Sequence, residues 1–313
     1  MDAISRIATA PDGCSAALAA PPVVVAEIGC NHRGEIDTAH ALIDSAAAFG
    51  GADYVKFQKR TNRELLSPAE YAASHPNPAH SYGATYGEHR EFLEFDLGVH
   101  RDLMAYCGER GIGYACSAWD LTAAREIASL APDYIKVPSA CNLDSRLLEF
   151  LAAEYAGDIH VSLGMTTLAE CDALLARLDR HGALPRVVLY ACTSGYPVAH
   201  EDVCLLEIPA LIARCGAEVK AIGFSGHHLG IAIDIAAQAL GARWIERHFT
   251  LDRTWKGTDH AASLEPDGLR RLVRDTRAVA RALHPRHAEI LAVEVPQRDK
   301  LKRLPGTHFA AGT

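Results

Sequence analysis

The sequence predicts an α/β protein built as a single (β/α)₈ TIM barrel. Three observations lead there: eight short β-branched or apolar runs, amphipathic helical stretches between them, and a total span of roughly 250 residues, the usual size of that fold. A doubly wound sheet more often stops at about five or six strands.

In order, the first run is residues 23–29, with a helical pattern over 37–49. The second run, 54–58, leads into a long excursion at 61–95. Its Pro, Ser, His, Tyr and Gly content suits a surface segment, and on a barrel it would rise over the active-site face. A helix over 99–110 then precedes the third run at 113–119. The fourth and fifth runs are 134–139 and 160–164, and a helix at 168–181 leads to the sixth, 187–193. The seventh, 218–226, is followed by a helix at 231–240, and the eighth, 244–250, by a last helix over about 266–283. The chain therefore divides into a flexible leader at 1–21, a barrel at 22–285 and a tail at 286–313.

Composition excludes several classes of function. A hydrophobic fraction of 49% with 22% charged residues is that of a soluble globular protein, and no apolar run approaches the ~18 residues of a membrane span. A net charge of -8 without basic runs argues against a nucleic-acid partner, whose binding rests on clustered Lys and Arg. Nine scattered cysteines with no C-x-x-C pair indicate neither a disulfide framework nor a zinc ribbon, so a cytoplasmic location is expected. The leader carries Asp2 and Asp12 and has no basic start before an apolar core, which makes it a poor signal peptide.

Side chains at the C-terminal ends of barrel strands converge on one site. Here those ends carry Glu27, Asn31 and His32; Lys56 and Gln58; Ser117 and Asp120; Lys136 and Ser139; Thr193, Ser194 and Tyr196; Ser225, His227 and His228; and Glu246, Arg247 and His248, with Asp259 and His260 in a loop beyond. Two lysines aimed into a barrel mouth are costly to desolvate unless an anion meets them. Lys56 and Lys136, with hydroxyls from Ser117, Ser139 and Ser225, thus suggest a phosphate or carboxylate cradle. The alternative for either lysine is a head that snorkels to water or pairs with Glu27. His227 and His248 end neighbouring strands, where two imidazoles could hold one metal ion that stays open to substrate. Among 16 histidines, two hydrogen-bonded core residues are the competing explanation.

Together these segments resemble the sialic acid synthase family, the phosphoenolpyruvate-dependent sugar acid synthases. The likeness rests on AEIGCNHRG from Ala26, VKFQK from Val55, YIKVPS from Tyr134, CTSGYP from Cys192, GFSGH from Gly223 and the specific block GARWIERHFTLDRTWKGTDHAASLEP from Gly241. It spans about residues 22 to 285, and TYGEH from Thr85 looks like the animal-type branch.

The resemblance implies that His227 and His248 are metal ligands for Mn²⁺ or Mg²⁺, and that Lys56, Ser117, Lys136, Ser139 and Ser225 hold phosphoenolpyruvate. Glu27 matches a carboxylate that handles water or proton steps, Gln58 is a further substrate-binding residue, and Tyr196 and Asp259 fall near the acceptor sugar. The implied reaction is attack by C3 of phosphoenolpyruvate on an aldose aldehyde, then water addition at C2 and loss of phosphate, giving a 2-keto-3-deoxy acid. A homodimer is implied in the same way. For Glu27 and Asp259 the alternative is a structural acceptor for backbone N–H groups or Arg247.

Three departures from the family pattern stand out. Its members continue into a small antifreeze-like domain that supplies an arginine to the partner's site. The present residues end at Thr313 without such a segment, leaving Arg33, Arg60, Arg63 or a separate protein as expected replacements. Cys141 stands where an acidic residue commonly faces the acceptor, and a thiol cannot replace a carboxylate as acceptor, so an unusual acceptor is expected. Leu163 stands where the family has a small hydroxyl residue, which would remove one polar contact. His228, beside His227, is the rival candidate for the metal, and His32, His89 and His260 are expected to bond within loops rather than act. Against the synthase stand two other readings: a barrel that binds the same ligands without catalysis, as a partner subunit, and a metal-dependent hydrolase or lyase.

Overall fold

The structure, a computed structural model, describes residues 20–303. The leader expected at 1–21 falls almost entirely outside the described residues, as does the end of the tail. Eight parallel strands close a barrel in sequence order: β1 (Val23–Gly29), β2 (Tyr54–Lys59), β3 (Gly113–Ala118), β4 (Tyr134–Val137), β5 (Asp158–Ser162), β6 (Val187–Cys192), β7 (Ala221–Gly226) and β8 (Trp244–His248), which pairs back to β1. The helices are α1 (Ile36–Asp44), α2 (Asn62–Leu65), α3 (Pro68–Ala72), α4 (Tyr86–Phe92), α5 (Leu97–Arg110), α6 (Leu121–Ala128), α7 (Ser145–Glu154), α8 (Leu168–Asp179), α9 (Glu207–Cys215), α10 (Ala232–Ala239), α11 (Pro266–Ala282) and α12 (Val295–Leu301). Their inner faces, among them Leu42, Leu103, Leu147, Leu151, Leu174 and Leu272, are buried against the strands. Among the described residues no helix is long and apolar enough to cross a membrane.

Where boundaries differ from those expected, local chemistry explains the difference. The fourth strand stops at Val137 because Pro138 has no N–H for the ladder, and a 3₁₀ turn, Ser139–Cys141, takes over. The first helix loosens into a π turn at Ser45–Gly50, which Gly51 ends in the left-handed region at φ 70. The 61–95 excursion is not an open loop. It folds into α2, α3 and α4, with capping boxes at Ser67/Glu70 and Thr85/Glu88 starting the last two.

Strand register does most of the positioning. Glu27 lies opposite Lys56 on one side and His248 on the other; Gln58 lies opposite Ser117, Ser117 opposite Lys136, and Ser225 opposite Glu246. Towards the N-terminal end the barrel is filled with rings. His160 stacks on Tyr134 at 3.7 Å and meets Trp244 edge-on at 4.5 Å. The interior is thereby packed below the polar residues, and a cleft opens at the C-terminal mouth.

Candidate active site

The cleft floor is a four-membered charge cluster. Lys56 Nζ forms an ion pair with Glu27 and donates to Ser117 Oγ at 2.6 Å, while Lys136 Nζ bonds Glu246 Oε1 at 2.5 Å and Glu246 Oε2 stands 3.8 Å from Lys56. All four side chains are buried. The pairing of a lysine with Glu27, one of the alternatives the sequence left open, is present, and Glu246 joins it, so two carboxylates from the barrel itself balance the lysines. Burial draws the Lys56 pKa down, but Glu246 and Glu27 outweigh it and leave it raised. For Lys136 burial wins, helped by the charge of Lys56, and its pKa is lowered despite Glu246. Burial pushes Glu246 up, and the two lysines more than reverse that, holding it below the ordinary carboxylate range.

Above this floor the remaining groups form the walls. Ser225 Oγ donates to Glu246 Oε1 at 3.1 Å, and Ser139 Oγ accepts from the backbone N–H of Gly164 at 3.0 Å. Gln58 Nε2 donates to Glu27 Oε1 at 2.6 Å. That contact passes close over Gly29, whose φ is +55 and where a Cβ would come within 2.9 Å of Gln58 Nε2, so glycine is required there. The cleft has a volume of about 290 Å³ and takes in Glu27, Lys56, Gln58, Ser117, Lys136, Ser139, Tyr196, Ser225, His227 and His248 from the expected set. Asp259 lines an adjoining compartment of about 250 Å³ that shares Gln58, Trp119, Tyr196 and His248 with the first.

The histidine pair is the part of the cleft whose donor chemistry would suit an open divalent-metal site. The rings of His227 and His248 are 5.5 Å apart between centroids, within reach of a single ion bound by one nitrogen from each. His227 Nδ1 bonds the carbonyl oxygen of Thr193 at 2.9 Å, which makes Nδ1 the protonated nitrogen and leaves the Nε2 lone pair free. Burial, then the neighbouring His248, lowers the His227 pKa to about 3, so the ring is neutral and able to ligate at physiological pH. His248 Nδ1 is buried with no hydrogen-bond partner among the described residues. Among those residues no group of three or more His, Cys, Asp or Glu side chains forms a metal cage, so further ligands would be substrate or water.

His228 is not on the cleft. It is fully buried behind it, where Arg247 Nη2 donates to the His228 carbonyl and Arg247 Nη1 bonds Asp234 Oδ2 at 2.5 Å and the Gly230 carbonyl at 2.8 Å. Because Arg247 precedes His248 on β8 and grips the loop after His227, it fixes the two metal-site candidates relative to each other. Arg247→Met is expected to lower unfolding free energy by about 3–5 kcal/mol, since it strands the buried Asp234 carboxylate; urea unfolding measures it, and a loss below about 1 kcal/mol would show that the pair carries little.

The other expectations divide. His32 and His260 bond within loops, to the Gly34 N–H at 3.1 Å and to Thr250 Oγ1 at 2.8 Å, whereas His89 both accepts from the Tyr82 N–H at 3.1 Å and lines the second compartment. Arg33 pairs with Glu35 at 2.9 Å and Arg63 is largely exposed; of the three candidate arginines only Arg60 reaches the site. Cys141 sits half-buried in the turn after β4, its thiol pushed up to about 12 by burial, and the neighbouring Ala140 rather than Cys141 faces the cleft. Leu163 turns away from the cleft and packs against the core beside Thr167 and Cys171. Glu246 was visible in the sequence as a strand-end residue beside His248, but its pairing with Lys136 was not. Arg90 offered no signal, because its place depends on how residues 61–95 fold.

A closed (β/α)₈ barrel with a buried lysine–carboxylate floor and a histidine pair at its C-terminal mouth defines the class: a barrel enzyme equipped for a small anionic substrate. Residues 42–287 match the NeuB family, and the chain belongs to that family. It is similar to N-acetylneuraminate-9-phosphate synthase of Homo sapiens, 38% identical over 289 residues covering 90% of this chain and 76% of the relative. It is also similar to N,N'-diacetyllegionaminic acid synthase of Campylobacter jejuni, 32% identical over 262 residues covering 83% of this chain and 77% of the relative. Among solved structures, N-acetylneuraminic acid synthetase from Leptospira borgpetersenii, crystallised with citrate, superposes with a TM-score of 0.76 at 26% identity, covering 91% of this chain and 94% of that one. The chain is accordingly an enzyme of the sugar acid synthase type.

Proposed function

We propose that the protein condenses phosphoenolpyruvate with an N-acetylmannosamine-like or related aldose in a divalent-metal-dependent reaction, giving a 2-keto-3-deoxy sugar acid and phosphate. The observation that carries this reading is the meeting of Lys56, Lys136, His227 and His248 in one cleft at the C-terminal mouth of the barrel. Lys56 and Lys136, with Ser117, Ser139 and Ser225, hold the phosphate and carboxylate of phosphoenolpyruvate, whose negative charge draws the lysines away from Glu27 and Glu246. His227 and His248 would hold Mn²⁺ or Mg²⁺, which when bound supplies Lewis-acid polarisation of the aldehyde oxygen.

The C3 carbon of phosphoenolpyruvate bonds to the aldehyde carbon, whose carbonyl oxygen takes a proton to become a hydroxyl. Water adds at C2 with Glu27 accepting a proton, and cleavage of the C2–O bond to phosphate leaves the ketone. Glu27 suits that task because Gln58 and Lys56 fix its carboxylate at the centre of the floor. Asp259 is placed to orient the acceptor. Burial pushes its carboxyl up, but His248, the Thr258 hydroxyl and the guanidinium groups of Arg60 and Arg90 together hold it below its usual range, so it stays ionised. Tyr196, with its ring 4.4 Å from that of His227, walls the metal side. A homodimer in a reducing cytoplasm completes the reading.

The test is phosphate release from phosphoenolpyruvate by the purified chain with Mn²⁺ across a panel of aldoses. Acceptor-dependent release that EDTA abolishes and Mn²⁺ restores is the expected result. Tight phosphoenolpyruvate binding with no release for any acceptor would replace this reading with that of a binding subunit.

A further inference from the structure

The two lysines of the cleft floor are held differently. Lys56 Nζ has Glu27, Ser117 Oγ at 2.6 Å and Glu246 Oε2 at 3.8 Å around it. Among the described residues Lys136 Nζ makes one hydrogen bond, to Glu246 Oε1 at 2.5 Å, and it stands 4.0 Å from the centre of the Tyr190 ring. Tyr190 lies on β6, outside the set of residues that line the cleft, and its side chain is fully buried. Burial and the charge of Glu246 hold its phenol far above the usual range, so the ring is neutral and offers the ammonium the negative face of its quadrupole.

The ring is built into this position. Its hydroxyl shares a hydrogen bond with His160 Nδ1 at 2.9 Å. His160 sits opposite Lys136 in the register of β4 and β5 and is kept neutral by burial and by the charge of Lys136. It is held in turn by the stacked ring of Tyr134 and the edge-on ring of Trp244. On the other flank β7 brings Gly223 opposite Tyr190, where a Cβ would come within 2.8 Å of the ring, so the ring takes space that a larger residue would fill. The aromatic packing beneath the floor thus ends in a ring face turned towards one of its two cations.

Resting on the proposed condensation, we infer that Tyr190 is a positioning residue: its ring face, oriented by His160, keeps the Lys136 ammonium at the cleft floor while the ammonium exchanges Glu246 for an oxygen of phosphoenolpyruvate. The exchange needs such a support, because the hydrogen-bond partner of Lys136 is the carboxylate that it must leave, and its stem is flexible. A cation resting on a ring face keeps that attraction before and after the exchange, since the quadrupole leaves its N–H donors to the oxygen ligands.

The test replaces Tyr190 by phenylalanine carrying no, one, two or three ring fluorines, which drain the ring face of electron density at nearly constant shape. Calorimetry on the full chain should show phosphoenolpyruvate binding weakening stepwise with fluorination, to about tenfold at the third fluorine relative to Tyr190→Phe, while Mn²⁺ affinity and melting temperature stay level across the series. In turnover the loss should fall on KM for phosphoenolpyruvate and leave kcat and the acceptor KM level. Phosphoenolpyruvate affinity that stays within about twofold from Tyr190→Phe to the trifluoro ring overturns the assignment and leaves Tyr190 as barrel packing. A second measurement needs no change at Tyr190. With ¹³C-labelled lysine in the wild type, the ε-methylene signal that is lost in Lys136→Met should be shifted upfield by the ring and stay shifted when phosphoenolpyruvate saturates the site; its return to the ordinary position on binding overturns the proposal. Phosphoenolpyruvate binding without phosphate release for any acceptor would defeat the condensation reading alone, since both measurements still decide the role of the ring.

Discussion

His248→Ala is expected to fold, to bind phosphoenolpyruvate, and to lose Mn²⁺-dependent, acceptor-dependent phosphate release by about a thousandfold, or ~4 kcal/mol of barrier, within the several kcal/mol that Lewis-acid catalysis supplies. Folding should survive because among the described residues His248 Nδ1 has no hydrogen-bond partner and the ring packs against those of His227 and Tyr196 at the open cleft, so truncation strands no buried group there. Phosphoenolpyruvate binding should survive because Lys56 and Lys136 are anchored to Glu27 and Glu246, not to the imidazole. His227→Ala is a harsher change. It also leaves the Thr193 carbonyl without its imidazole donor, so it should lower stability as well as activity. Calorimetric titration with Mn²⁺, a thermal melt and the phosphate assay separate these effects. Undiminished Mn²⁺ affinity in His248→Ala would remove the histidine pair from the metal site.

The barrel was legible in the sequence because its signal repeats: apolar runs at regular intervals fix strand number, and strand ends fix which side chains converge. Lys56, Lys136, His227 and His248 were found in that way. What stayed hidden lies across long sequence separations. Glu246 is 110 residues from Lys136, and nothing local in either segment says that a carboxylate meets the lysine. A balanced quartet and a pair of bare cations awaiting phosphate give the same strand-end pattern. The excursion at 61–95 was readable only as a polar segment, since its helices are too short to show a period and their placement comes from capping boxes and from Tyr82 and His80 docking on the 256–257 loop. Arg90 therefore had no visible destination. Cys141 and Leu163 mark the converse case, in which family position suggested contact with substrate and the local backbone turns each away from the cleft.

The balanced floor makes a second large effect predictable, and it separates stability from binding. Lys136→Met strands Glu246 in the barrel with only Lys56, 3.8 Å away, to offset it, so unfolding free energy should fall by about 3–5 kcal/mol. Phosphoenolpyruvate affinity should fall at least a hundredfold, because one of two cations facing the anion is gone. Glu246→Gln removes the opposite charge. It too should cost stability, since Lys136, already lowered by burial, loses its partner. The ligand, however, can now serve as that partner, and saturating phosphoenolpyruvate should raise the melting temperature of Glu246→Gln by more than that of the wild type. The pH dependence has a definite sign. Glu246 is held below the ordinary carboxylate range when folded, so its contribution is complete above its unfolded pKa and is lost as pH falls through the folded value. The stability gap between wild type and Glu246→Gln should thus be widest near neutral pH and close in acid, as urea unfolding at several pH values would record. Wild-type phosphoenolpyruvate affinity in Lys136→Met would mean that Glu246 is the permanent partner of Lys136, which would assign the floor to the fold rather than to the substrate.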